Sequence, residues 1–229
     1  MPKNKTYIIS IGGSLIAPEP GIDWKFLKEF RQLILQLIKK GNKFYLIAGG
    51  GRTSRNYVAV ARRVVKITAE DLDWLGIHAT RLNAHLLRTI FREQAHPQII
   101  KSPTFRLVSR EKIVVAAGWK PGWSTDYVAT VLAHEYDIKT IINLSNIDYV
   151  YNKDPKKFKD AKKLAKISWS AFRKLVGNKW DPGLNAPFDP IASQKSEKLG
   201  LEVIIMNGKD INNIKNYFKG KKFKGTVIK

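Results

Sequence analysis

Residues 45–55 read YLIAGGGRTSR. The apolar run Tyr45 to Ala48 predicts a buried strand. It stops at Gly49, Gly50 and Gly51, and Arg52 and Arg55 follow. Glycines strip side chains from the backbone, either for a turn or so that bare peptide can lie against a ligand. The arginines point to an anionic ligand, because a planar guanidinium grips phosphate in two places. Arg55, about one helical turn beyond the glycines, either faces the same anion or is an exposed helix arginine.

The design recurs. The run Thr6 to Ile11 precedes Gly12-Gly13-Ser14, and Ile113 to Ala117 precedes GWKPGWS, residues 118–124. Each glycine-bearing loop follows a predicted strand and leads into a predicted helix. In an open parallel sheet the loops at the carboxyl ends of the strands line one crevice, where ligands bind. Exposed amides and helix N-termini there favour phosphate oxygens. Three such loops predict an anion site. Neither GxxxxGK[ST] nor GxGxxG is present, so the phosphate chemistry uses another scaffold.

The rest of the chain keeps the alternation. Further strands are predicted at Lys43–Ala48, Pro97–Ile100, Thr140–Asn143, Leu201–Met206 and Gly225–Ile228. Helices are predicted from an Asp23 cap to about Lys40, from near Thr53, over Leu72–Gln94, over Ser124–Glu135, from about Pro190 and from Asp210. The first of these carries Leu27, Phe30, Leu33, Ile34, Leu37 and Ile38 on one face. The pattern predicts an α/β fold whose parallel sheet is covered on both faces. No repeat or interdomain linker interrupts it. Residues 177–190, GNKWDPGLNAPFDP, read as a long ordered loop or lid.

Composition narrows the function. The chain has 229 residues, 44% of them apolar, so it is globular. It has no cysteine, which excludes disulfides, thiolate metal sites and cysteine nucleophiles and fits a reducing cytoplasm. Lys and Arg outnumber Asp and Glu by 41 to 19, a charge of +22 that attracts anions. The basic residues are spread out, with short clusters at Lys156-Lys157, Lys162-Lys163 and Lys219 to Lys224. No nucleic-acid-binding signature accompanies them, so a nucleic-acid partner is not expected. No apolar run approaches the ~20 residues of a membrane span, and TYIISI lacks the flanks of a signal peptide. His78, His85, His96 and His134 make no tight ligand spacing, so no structural metal is expected.

Several side chains carry two readings. Asp126, at a helix start after Ser124-Thr125, is either a first-turn carboxylate favoured by the helix dipole or an acid that orients a cation or the catalytic loops. Asp73 either charges a helix start with Glu70 and Asp71 or accepts hydrogen bonds from sugar hydroxyls. Trp119 and Trp123, flanking Lys120-Pro121-Gly122, either pack or wall a flat base.

Taken in order, IGGSL, IAGGGRTSR, DWLGIHATRLNAHLL, GWKPGWSTD and NLSNIDYVYNKDP resemble the amino-acid-kinase superfamily, and within it the archaeal-type UMP kinases, from about Tyr7 to Ile228. The resemblance implies a three-layer αβα sandwich around a mostly parallel sheet, as one domain over residues 1–229. Its acceptor half would be about 1–118 and its ATP half about 119–229. It also implies transfer of the γ-phosphoryl group of ATP to UMP, giving UDP and ADP in pyrimidine nucleotide biosynthesis. Mg2+ would be bound with ATP, in a cytoplasmic homohexamer.

By motif position, the resemblance has Gly13 and Ser14 touch the ATP phosphates, Gly50 meet UMP, and Gly51 and Arg55 meet the ATP phosphates. Asp73 would bind the UMP ribose. Trp119, Lys120, Pro121, Gly122, Trp123, Ser124 and Thr125 would line the UMP site. Ser145, Asn146, Tyr151 and Asp154 would hold adenosine. Arg55 and Asp126 would be catalytic, Arg55 as the stabilising cation and Asp126 as the organising acid. The chain departs from the superfamily pattern at Ser10, where many members carry lysine and the archaeal-type branch does not, so Arg55, Arg52 or Lys120 carries more of the load, or Lys153 swings in. It departs again at Tyr149, in place of glycine, and in the Trp and Lys of the acceptor loop. Rival readings are a kinase with another small anionic acceptor, a basic nucleic-acid-binding protein and a nucleotide sensor without catalysis.

Overall fold

The structure, a computed structural model, describes residues 5–179 and 186–229. The elements in chain order are β1 (Thr6–Ile11), α1 (Gly13–Ile16), α2 (Trp24–Lys39), β2 (Lys43–Ala48), α3 (Gly51–Val64), α4 (Ala69–Ile90), β3 (Ile113–Ala116), α5 (Thr125–Glu135) and β4 (Thr140–Ser145). There follow β5 (Val150–Tyr151), β6 (Lys163–Leu164), β7 (Lys166–Ile167), α6 (Trp169–Val176), α7 (Pro190–Lys198), β8 (Glu202–Asn207), α8 (Ile211–Phe218) and β9 (Thr226–Ile228).

Seven strands form one sheet in the order β3-β2-β1-β4-β8-β9-β7. The five from β3 to β8 are mutually parallel, and β9 joins β8 antiparallel. Both faces of the central strands are buried, which is why they read as unbroken apolar runs. Ile9 and Ile11 enter one core with Phe30 and Ile34 of α2, Leu87 of α4 and Ile214 of α8. Ile8, pointing the other way, enters a second core with Val128 and Leu132 of α5, Phe172 of α6 and Ala192 of α7. The sheet is therefore the middle of three layers. Its strand order reverses at β1, with β2 on one side and β4 on the other, and that reversal opens a crevice at their carboxyl ends.

Local chemistry sets the helix ends. The Asp23 side chain accepts from Phe26 N and starts α2, as expected. Thr68 caps α4, which begins at Ala69, three residues ahead of the expected Leu72, and stops at Ile90 rather than Gln94. Helix α3 begins at Gly51, two residues before Thr53.

Residues 97–100 are not a strand. Of them only Ile100 bridges β3, at Ala116, and Ala95 just before them makes a second isolated bridge to Ile113. Pro97 has no N–H to give a ladder, and Gln98 N bonds the His96 ring instead. Helices α1 and α6, the β5–β6 hairpin and β7 were not expected from the sequence. Of the expected loop over residues 177–190, residues 180–185 lie outside the described residues. Phe188 and Asp189, beyond them, are buried.

Candidate active site

Two of the three glycine loops meet backbone to backbone above the strand-order reversal. A Cβ on Gly13 would lie 2.0 Å from Gly51 N, and one on Gly51 would lie 2.2 Å from Gly13 O. A Cβ on Gly49 would meet Gly13 N at 2.4 Å. Gly51 also has φ +65°, where side chains are strained. These glycines are thus demanded first by each other, since the loops cross at a separation no side chain allows. The consequence is an edge of bare amides. Gly12 N bonds Leu144 O at 2.8 Å, which pins the first loop to the end of β4 beside Ser145. The N–H groups of Gly13, Ser14, Gly50 and Gly51 make no backbone hydrogen bond among the described residues. Those of Gly50 and Gly51 stand at the positive N-terminus of the 14-residue α3.

The third loop is tied to α4. Thr80 Oγ1 accepts from Gly118 N at 2.8 Å, Arg81 donates to Trp119 O at 3.0 Å, and Asp73 Oδ2 accepts from Gly122 N at 2.7 Å. One carboxylate oxygen of Asp73 is therefore spent on shaping this loop. Trp123 packs among neighbouring rings. Its ring lies 4.0 Å from that of Tyr127 and 6.1 Å from that of Trp119, and the Lys120 ammonium lies 4.4 Å over Trp119. The result is a short aromatic wall on α5 and the loop before it.

Asp126 joins the pieces. It stands in the first turn of α5, whose N-cap is Ser124. Ser10 of β1 donates to one of its oxygens at 3.4 Å, and the Asp189 N–H donates to the other at 3.1 Å. Asp189 is itself buried as the N-cap of α7. Burial first, and repulsion from Asp189 second, push the Asp126 carboxyl up to about 7, against the hydrogen bonds from Asp189 and Ser10. Asp189 is raised too, chiefly by burial.

The pH consequence has a definite sign. The fold favours protonated Asp126, so this group's stabilising share is full below its ordinary value of 3.8 and is lost as pH rises through about 7. Asp126→Asn, neutral throughout, should gain on the parent in melting temperature between pH 5 and pH 8. Parallel melting curves for the two proteins across that range would contradict the assignment.

The other expected residues divide. Arg55, on the first turn of α3, is exposed and makes no ion pair among the described residues. Arg52 is paired with Glu19 at 2.8 Å, and Lys153 with Asp160 at 2.5 Å. Those two are engaged by carboxylates, whereas Lys120 lies over the Trp119 ring and Arg55 is unpaired among the described residues. Gly208 N bonds Ser145 O at 2.9 Å, which fixes Ser145 and Asn146 at the end of β4. Tyr151 and Asp154 lie farther along, in and after β5, and Asp154 accepts from Lys156 N, shaping its own turn. Tyr149 carries the Lys163 ammonium 5.2 Å over its ring.

Thr80, Arg81 and Asn83, none of them marked in the sequence, hold the site together with Asp189. Their one signal is polarity within apolar surroundings: Thr80, Asn83 and Asp189 are all buried.

At the opposite edge of the sheet a cavity of about 820 Å3 lies among Lys5, Lys40, Lys139 and Lys219. Helices α2, α5 and α8 all end at that cavity, through Lys40, Tyr136 and Lys219. Helix C-termini carry negative charge, which the lysines offset. Among the described residues no three His, Asp or Glu side chains gather into a metal cage. Asp126 and Asp189 are the carboxylates set beneath the amides. That donor set suits a magnesium ion carried mainly by phosphate oxygens rather than by the protein.

Comparison with known proteins agrees with this geometry. The model of the amino acid kinase family matches residues 5–207. The uridylate kinase of Thermoplasma volcanium is 34% identical over 221 residues, 95% of each chain. That of Methanospirillum hungatei is 33% identical over 226 residues, 97% of this chain and 94% of its own. The crystal structure of uridylate kinase from Archaeoglobus fulgidus superposes with a TM-score of 0.82 at 29% identity, covering 100% of both chains. No described helix is long and apolar enough to cross a membrane. The chain belongs to the amino acid kinase family.

Proposed function

We propose that this protein transfers the γ-phosphoryl group of ATP to UMP, releasing ADP and UDP. The observation that carries the reading is the edge of four uncommitted amides, from Gly13, Ser14, Gly50 and Gly51, where two glycine loops lock above the strand-order reversal. The uridylate kinase relatives over nearly the whole chain supply the acceptor.

In this reading UMP lies toward Asp73 and the loop Trp119–Thr125, and ATP lies toward Ser145, Asn146, Tyr151 and Asp154. The acceptor half is about 1–118 and the ATP half about 119–229. A phosphate oxygen of UMP attacks the γ-phosphorus in line, and the β,γ-bridging oxygen leaves with ADP. That nucleophile is already anionic at neutral pH, so the task is to quench repulsion between two anions. Peptide N–H groups do this without reorganising, and the Arg55 guanidinium adds the positive charge that lysine supplies in members lacking serine at this place. Asp126 orders the floor by holding Ser10 and the Asp189 peptide. Magnesium bound with ATP would supply further neutralisation of the phosphate charge.

The test is ADP release with UMP, CMP, dUMP or no acceptor, each with and without magnesium. UMP should be the preferred acceptor, and release should stop without the metal. Equal release with and without UMP would sink the reading.

The proposal includes a cytoplasmic homo-oligomer, a hexamer by likeness to the family. Its support is α3, which buries no residue yet is apolar along one face. Tyr57, Val60 and Val64 are 65%, 61% and 80% exposed. Tyr57 also lines a groove of about 450 Å3 with Trp74 and Leu82 of α4. Val60→Lys should lower the assembled mass in light scattering; an unchanged mass would contradict a contact there.

A further inference from the structure

The direction a peptide faces is decided by what holds its carbonyl. In a trans peptide the C=O and the N–H point in opposite directions. The Asn83 amide nitrogen donates to Gly49 O at 2.7 Å and to Gly50 O at 3.1 Å. Both carbonyls are thereby drawn toward α4. The N–H groups of Gly50 and Gly51, on the far side of the same two peptides, are turned away from α4. These are two of the four uncommitted amides at the crevice.

The arrangement is costly to keep unless it serves a purpose. Asn83 is 1% exposed, on the inner face of α4 between Ala79 and Leu87. A buried side-chain amide is tolerated only when its donors are used, and this nitrogen uses both on the glycine loop. Three glycines in succession have more backbone freedom than any other tripeptide. Left alone, their peptides would sample orientations that point carbonyls, rather than N–H groups, at a phosphate.

We propose that Asn83 is a positioning residue for the phosphate site, fixing the peptides 49–50 and 50–51 so that their N–H groups face the crevice. This rests on the proposed function and deepens it. Asn83 touches no substrate and acts through the two peptides. Its geometry makes the amide specific. Aspartate has the same shape but sets oxygens against the two carbonyls and repels them. Alanine leaves Gly49 O without a donor and Gly50 O with only the long bond from Ser54 N, at 3.4 Å. Serine keeps one donor and holds one carbonyl.

The test compares Asn83→Ala, Asn83→Asp and Asn83→Ser with Leu87→Ala, a buried apolar truncation one turn along the same helix. Leu87→Ala reports what mere loosening of α4 does. Turnover with ATP and UMP is measured below the melting temperature of every variant, and calorimetry gives the affinity of each for MgATP and for UMP. Asn83→Ala and Asn83→Asp should lose about tenfold or more in kcat/KM and bind nucleotide more weakly than Leu87→Ala, with Asn83→Ser between them and the parent. Should Asn83→Ala and Asn83→Asp fail to fold, Asn83→Ser against Leu87→Ala decides. Asn83 variants matching Leu87→Ala in both turnover and affinity would overturn the inference. A parent that binds MgATP but phosphorylates no UMP would overturn the acceptor assignment instead, and the affinities would still decide the role of Asn83.

Discussion

Arg55→Ala is expected to slow UDP formation about 10²-fold, while Arg52→Ala stays within a few-fold of the parent. The two arginines are three residues apart, yet their situations differ. Arg52 is already neutralised by Glu19 at 2.8 Å. Arg55 is four residues from Gly51, so the two share one face of α3. Side chains on a helix lean toward its N-terminus, which here is the glycine loop. The guanidinium therefore has the reach and the freedom to meet phosphate as charge is transferred. Steady-state kinetics with both nucleotides checks this, and melting temperatures show that each variant is folded. Arg55→Ala turning over within a few-fold of the parent would remove the role assigned to it.

Gly51→Ala should be still more damaging, abolishing phosphoryl transfer and lowering the melting temperature sharply. Two costs add. The added Cβ meets Gly13 O at 2.2 Å and Ala17 O at 2.9 Å, both main-chain atoms that cannot swing aside. Overpacking of this kind costs on the order of 3 kcal/mol. The φ of +65° adds roughly 1–2 kcal/mol for any residue with a Cβ. By contrast, Gly122→Ala, with φ +84° and open space around it, faces strain alone and should be the milder change. Thermal melting and turnover measured on both variants separate the two costs. Equal damage from both would mean that the loop crossing is not what requires Gly51.

Much of this site is legible in the sequence because parallel strands must be apolar on both faces. The runs 6–11, 43–48 and 113–116 announce themselves, and the glycines after them mark the sheet's carboxyl edge. What those glycines touch is not legible. Gly13 and Gly51 are 38 positions apart, and their contact exists only once β1 and β2 pair in register, Ile11 beside Ala48.

The same holds for polar residues whose partners are peptides of another element. Thr80 and Asn83 read as ordinary members of an amphipathic helix until Gly118 N, Gly49 O and Gly50 O are placed against them. Asp189 caps α7, and nothing local in the sequence reveals that its own N–H meets Asp126. The run 97–100 misleads for the converse reason. Its residues suit a strand, but Pro97 and the His96 ring divert the backbone before a ladder can form.

The central claim is that two nucleotides lie end to end across these amides. A crystal structure with a bisubstrate analogue, adenosine and uridine joined through five phosphates, tests it most directly. The phosphate chain should run within hydrogen-bond reach of the N–H groups of Gly13, Ser14, Gly50 and Gly51, with uridine toward Asp73 and Thr125 and adenosine toward Ser145. A phosphate chain seated in the groove between α3 and α4, or among the lysines at the opposite edge of the sheet, would contradict it.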